Sequence, residues 1–158
     1  MMNFTFLELN SMKTGEKITI NTRKILLIDH ELIVREVLEL CLQDLANWDV
    51  ITADSPLSGL EQAELERPDA IVLDIGMRGS FMFLQQLRSN RKTKAIAVVL
   101  LSANAKWLDP KFLQQYKISG IILKPFNPVT LPVEIAKLLN WNYNVLLNSQ
   151  NNLTSIVR

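Results

Sequence analysis

Three apolar runs in this chain break off in the same way, each with a charged residue at its end. Lys24-Ile25-Leu26-Leu27-Ile28 runs into Asp29, Ala70-Ile71-Val72-Leu73 into Asp74, and Gly120-Ile121-Ile122-Leu123 into Lys124. A run with no polar alternation is buried on both faces, the pattern of a strand inside a parallel sheet. Parallel neighbours need long crossovers, and amphipathic stretches of helical period separate these runs. In an open parallel sheet, residues at the carboxyl ends of the strands converge on one crevice. Asp29, Asp74 and Lys124 are therefore expected side by side, an arrangement suited to handling a phosphoryl group.

The rest of the chain keeps the alternation. Strands are predicted at Lys24–Asp29, Asp49–Ala53, Asp69–Asp74 and Ile96–Ser102, with Gly120 ending the connection into a fifth. Helices are predicted at Glu31–Ala46, at Pro56–Glu66, at Ser80–Ser89, from Asp109-Pro110 to about Lys117, and from about Thr130 to Leu139. Ser55 is the expected cap of the second helix, with Pro56 at its first position. Five strands alternating with five helices predict a three-layer α/β/α sandwich around a five-stranded parallel sheet. That domain is expected over residues 23–139. An N-terminal extension, 1–22, and an Asn-rich C-terminal one, 140–158, lie outside the alternation; the latter has Trp141, Tyr143, Val145, Leu146 and Leu147 for packing.

Composition narrows the function classes. At 158 residues and 48% apolar, the chain holds one domain with a real core. A net charge of +1 argues against a dedicated nucleic-acid or membrane surface, and Arg88, Arg91, Lys92 and Lys94 read as a solvated loop. The lone Cys41 falls on the apolar stripe Val34, Val37, Leu38, Cys41, Leu42, Leu45, so it reads as a core thiol and not a nucleophile. No apolar run approaches the roughly 20 residues of a membrane span. The first residues lack a secretory pattern, and the default expectation is a cytoplasmic protein. Asn3-Phe4-Thr5 and Asn152-Leu153-Thr154 match the glycosylation pattern without other support for secretion.

Chemically, Asp74 suits a nucleophile that accepts a phosphoryl group as a mixed anhydride, given charge to neutralise the transferring oxygens. Lys124 offers that charge, Ser102 at the end of the fourth strand a hydroxyl, and Asp29 a hard ligand for Mg2+. Singly, each residue is more simply a cap or a solvated charge; four of them at the ends of four strands are not. The chain resembles the receiver domain of two-component response regulators over roughly residues 23–139. The carrying motifs are Ile25-Leu26-Leu27-Ile28-Asp29, Pro68-Asp69-Ala70-Ile71-Val72-Leu73-Asp74-Ile75-Gly76-Met77, Val98-Val99-Leu100-Leu101-Ser102-Ala103 and Lys124-Pro125-Phe126.

The resemblance implies a flavodoxin-like topology and a phosphorelay role. Asp74 is the implied phosphoacceptor, Ser102 the switch hydroxyl and Lys124 the phosphoryl-contacting lysine. Mg2+ is implied at Asp29, Asp74 and the backbone carbonyl of Gly76. The domain is expected to signal and not to act as an enzyme, beyond self-phosphorylation from small donors. A histidine kinase or phosphotransfer protein is implied upstream and an unidentified protein partner downstream, with a homodimer left open. No output module is expected in the 19 residues from Asn140. The implied signalling face includes Trp107, Leu108, Phe112 and Tyr116, of which Trp107 is the expected exposed partner anchor.

Three departures accompany the resemblance. His30 stands at the second acid position, and an imidazole is a poor substitute where Mg2+ wants oxygens. Weakened Mg2+ binding is expected; rescue by Glu31 is the lesser expectation, since Glu31 reads as a first-turn helix charge. A softer metal on His30, Asp29 and Asp74 is left open. Arg78 replaces the family's usual proline in a shortened loop, and Ile121 its switch aromatic. These departures support an alternative, a pseudo-receiver that binds partners without phosphoryl transfer. Other enzymes fit worse: Gly76 stands where a haloacid-dehalogenase-like phosphatase needs a second acid. The turn after Asp29 lacks both the glycines of a dinucleotide site and the Ser/Thr/Gly run of an FMN site.

Overall fold

The computed structural model of the protein describes residues 22–141. The elements alternate as β1 (Lys24–Ile28), α1 (Leu32–Ala46), β2 (Asp49–Ala53), α2 (Pro56–Glu66), β3 (Ala70–Asp74), α3 (Ser80–Ser89), β4 (Ala97–Ser102), α4 (Pro110–Gln115), β5 (Ile118–Leu123) and α5 (Leu131–Leu138). A 3-10 turn, Ala105–Leu108, precedes α4. The five strands make one parallel sheet in the order β2-β1-β3-β4-β5. Strand order therefore reverses between β1 and β3, the place where open α/β sheets bind ligands. The predicted sandwich is the observed one.

Strand periodicity divides the core in two. Along β1, Ile25 and Leu27 join Val72, Val99, Leu101 and Ile122 beneath α1 and α5, where Leu38, Leu42, Leu131 and Ile135 are buried. Leu26 and Ile28 alternate to the other face with Ile71, Leu73, Val98 and Leu100, against Ala63 of α2 and Phe83, Leu84 and Leu87 of α3. Two glycines admit close approach. A Cβ on Gly59 of α2 would stand 2.5 Å from Ile28 Cδ1, and one on Gly120 of β5 2.5 Å from Leu138 Cδ2.

Helix boundaries follow local chemistry. Ser55 caps α2 as expected, its Oγ accepting from the Ser58 N–H at 3.2 Å, with Pro56 in the first turn. Asp109 caps α4 in the same way, accepting from Lys111 N–H at 3.1 Å. That helix stops at Gln115, short of the expected Lys117, because Lys117 adopts φ 51° and turns the chain into β5. Consequently β5 begins at Ile118 and Gly120 lies inside the strand instead of ending the connection. Strand β1 ends at Ile28, α1 starts at Leu32, β3 starts at Ala70 and β4 at Ala97, each one residue inside the sequence reading.

The apolar stripe of α1 is only partly buried. Leu38 and Leu42 are core residues, whereas Val37 is exposed and Cys41 half-buried. Cys41 is thus not the core thiol expected, although burial, aided by Asp44, pushes its thiol up. Of the two expected extensions, residues 1–21 and 142–158 lie outside the described residues, as do both glycosylation patterns. Trp141 is described, and packs edge-on against Trp48 with ring centroids 5.1 Å apart. Among the described residues, no helix is long and apolar enough to cross a membrane.

Candidate functional site

Four strands deliver the site. Asp29 directly follows β1, Asp74 ends β3, Ser102 ends β4 and Lys124 directly follows β5. Sheet hydrogen bonding carries on past the strand ends and holds these positions. Asp29 N–H donates to Ala53 O at 3.2 Å, Ile75 N–H to Leu101 O at 3.0 Å, and Lys124 N–H to Ser102 O at 2.8 Å. The Asp29 carboxylate is fully buried and Asp74 is 5% exposed. Lys124 Nζ reaches across both, 3.0 Å from Asp74 Oδ2 and 3.2 Å from Asp29 Oδ2.

Burying two carboxylates is unfavourable unless they are paired and hydrogen-bonded. Both conditions are met here: Asp29 Oδ1 accepts from Glu31 N–H at 2.9 Å, and Asp74 Oδ1 from Gly76 N–H at 2.8 Å. Gly76 permits this approach, since a Cβ there would lie 3.1 Å from that same oxygen. Burial on its own depresses the Lys124 ammonium, but the hydrogen bond and charge of Asp74, joined by those of Asp29, outweigh it and hold the group above the ordinary lysine value.

The pocket over these groups has a volume of about 390 Å³, and Ser102, Asn104, Lys106 and Trp107 line its far side. Ser102 Oγ points into its own turn, donating to Asn104 O at 2.8 Å and accepting from Asn104 N–H at 3.1 Å. The hydroxyl is thus in the pocket wall but engaged elsewhere. Trp107 is a half-buried rim residue, 5.0 Å from the Phe81 ring and 6.0 Å from that of Phe112. The freely exposed anchor expected at this position is instead stacked into an aromatic cluster.

His30 and Glu31 complete the rim. His30 Nδ1 is 3.8 Å from Asp29 Oδ1 and 3.9 Å from Asp74 Oδ2, beyond hydrogen-bonding distance of either. Glu31 is the N-cap residue of α1, but its side chain makes no capping bond. Its Oε1 lies 4.0 Å from Lys124 Nζ. Glu31 therefore stands at once at the start of α1 and at the pocket rim. Ligand atoms of Asp29, His30, Glu31 and Asp74 all lie within 4.8 Å of one another. A set of three carboxylates with one imidazole is chemically suited to a divalent cation.

Two positioning residues escaped the sequence reading. Arg35, one turn into α1, donates from Nη1 to the backbone oxygen of Asp29 at 2.7 Å. Ser80, at the start of α3, donates its hydroxyl to the backbone oxygen of Asp74 at 3.1 Å. Each lies six residues after the acid it steadies, a spacing visible in the sequence but meaningless without the turn between. That turn after Asp74 closes through Gly79 at φ 88°, which a side chain would strain.

Comparison with known proteins supplies the family. Residues 25–136 match the response regulator receiver domain. The chain is 30% identical over 132 residues to ycf27 of Cyanophora paradoxa, described as a probable transcriptional regulator, covering 82% of this chain and 54% of that one. It is 28% identical over 125 residues to the chemotaxis protein CheY-3 of Vibrio cholerae, covering 78% of this chain and 96% of that one. The solved structure of the chemotaxis response regulator CheY4 of Vibrio cholerae superposes with a TM-score of 0.68 at 26% identity, covering 75% of this chain and 99% of that one. The matched segment runs from Ile25 in β1 into α5 and includes all four strand-end groups, and the chain belongs to the response regulator receiver domains of two-component signalling.

Proposed function

We propose that this protein accepts a phosphoryl group on Asp74 and passes the signal on through protein contacts. The observation that carries this reading is the pairing of a nearly buried Asp74 carboxylate with Lys124 at 3.0 Å, at the floor of an open pocket. The Asp74 carboxylate attacks the phosphorus of an incoming donor, a P–O bond forms, and the donor's P–N or P–O bond breaks. Lys124 gives up part of its contact with Asp74 to a phosphoryl oxygen, and Ser102 Oγ turns from Asn104 to another. Receiver domains generally bind Mg2+ through an acidic pocket, and here Asp29, Asp74, Glu31 and the Gly76 carbonyl are the oxygen groups that would hold it. A divalent cation bound there supplies positive charge to the transferring oxygens.

Receiver domains take their phosphoryl group from histidine kinases or phosphotransfer proteins. The outer face of α1 is apt for such a partner: Leu32, Ile33, Val37 and Leu40 are exposed, Ile33 to 75%, and the helix starts at the pocket rim. The test is intact-protein mass spectrometry after incubation with acetyl phosphate and either Mg2+ or Mn2+, beside Asp74→Asn. A gain of one phosphoryl group by the wild type and none by the variant is expected.

His30 and the half-buried Ile121 favour a second reading, a pseudo-receiver that signals without phosphoryl transfer. That reading takes over if the wild type gains no mass with either cation while His30→Asp does.

A further inference from the structure

We infer that His30 is a metal-specificity residue, one that retunes the receiver cation site from Mg2+ towards a nitrogen-accepting divalent transition metal of the Mn2+-to-Zn2+ group. The inference rests on the receiver reading for the location of the site, though not on Asp74 being phosphorylated. Three observations carry it. His30 Nδ1 stands 3.8 Å from Asp29 Oδ1 and 3.9 Å from Asp74 Oδ2 without bonding to either. Atoms that share one ion at about 2.1 Å are roughly 3–4 Å apart, so these separations match those of joint ligands. The imidazole is also held in no other way: its side chain is 60% exposed, and no hydrogen bond to another group competes for the ring among the described residues.

Second, the donor set has changed character, not merely shrunk. Asp29, Glu31 and Asp74 still give three carboxylates beside His30, all with ligand atoms within 4.8 Å. Asp29 is fully buried at the pocket floor and Glu31 stands at its rim, so oxygen donors remain on both sides of the imidazole. Third, nitrogen discriminates between cations. Mg2+ holds water tightly and favours oxygen, whereas affinity of a mixed N/O site rises through the first-row transition metals. One imidazole in place of one carboxylate thus lowers Mg2+ affinity through both charge and donor type, and costs a transition metal much less.

The test is metal binding alone, without phosphodonor. Titration of the full chain with MgCl2 and with MnCl2, for wild type, His30→Asp and His30→Ala, gives the ratio of the two affinities. The wild-type preference for Mn2+ is expected to exceed that of His30→Asp by about tenfold. Electron spin-echo measurements on the Mn2+-loaded wild type are expected to carry nitrogen coupling from an imidazole, absent in His30→Ala. His30 is the single histidine of the chain, so the signal has one source. Absence of nitrogen coupling, or an equal Mn2+-to-Mg2+ ratio in wild type and His30→Asp, overturns the inference. Failure of Asp74 to gain a phosphoryl group with either metal would instead overturn the proposed function and leave this result standing.

Discussion

Arg88 illustrates how a residue's role can hide in its neighbours. In the sequence it belongs to a basic run that reads as solvated, and Lys92 does pair at the surface with Glu64 at 3.2 Å. Arg88 does not. Its guanidinium donates to the backbone oxygens of Tyr116, Lys94, Ile96 and Lys117 at 2.7 to 3.2 Å, tying α3 to the ends of α4 and the approach to β4. Burial lowers its pKa, although a guanidinium keeps its charge throughout the neutral range. Arg88→Ala is expected to destabilise the fold by about 3 kcal/mol in urea unfolding, because charged hydrogen bonds are lost and carbonyls orphaned. Arg88→Lys should recover only part of this, since a point charge cannot serve the same fork of acceptors.

At the scale of elements, the turn between β4 and α4 joins the pocket to the surface. Ser102 Oγ bonds to Asn104 at two points, and Asn104 Oδ1 in turn caps the 3-10 turn by accepting from Lys106 N–H at 3.0 Å. Trp107 rides on that turn, packed at a tilt against both Phe81 and Phe112. Ile121 packs half-buried on the same side of the sheet. The aromatic that a moving Ser102 would disturb is accordingly Trp107. Ser102→Ala, which removes both Asn104 bonds, is expected to shift Trp107 emission to longer wavelength, read as the difference between otherwise matched Trp107 and Trp107→Phe proteins. An unchanged difference spectrum would show that the turn holds without Ser102.

The whole molecule decides the electrostatics of the site. Lys124 meets Asp29 across 95 residues of chain and Asp74 across 50, so neither pair exists until the sheet is assembled. Two buried carboxylates then depend on one ammonium. Lys124→Met is expected to lose about 3 kcal/mol of stability, the cost of leaving buried charge unpaired. A saturating divalent cation should restore part of that loss by linkage and raise the melting temperature of the variant more than that of the wild type. Equal shifts in both proteins would mean that the cation and Lys124 do not share the carboxylates.

The sequence by itself determined the layers, the strand order's alternation with helices and the four strand-end groups Asp29, Asp74, Ser102 and Lys124. These are readable because burial on both faces leaves an unbroken apolar run, and because the residue after such a run must emerge at the sheet's edge. Only the tertiary structure decided where side chains turn once they emerge. Glu31 read first as a helix charge, and its carboxylate lies at the pocket rim 4.0 Å from Lys124. Trp107 read as an exposed anchor, and packs instead against rings from α3 and α4. Gly120, read as the end of a connection, lies inside β5, where Leu138 of α5 occupies the space a Cβ on residue 120 would need. In each case the deciding partner comes from another element, which local propensity and periodicity do not encode.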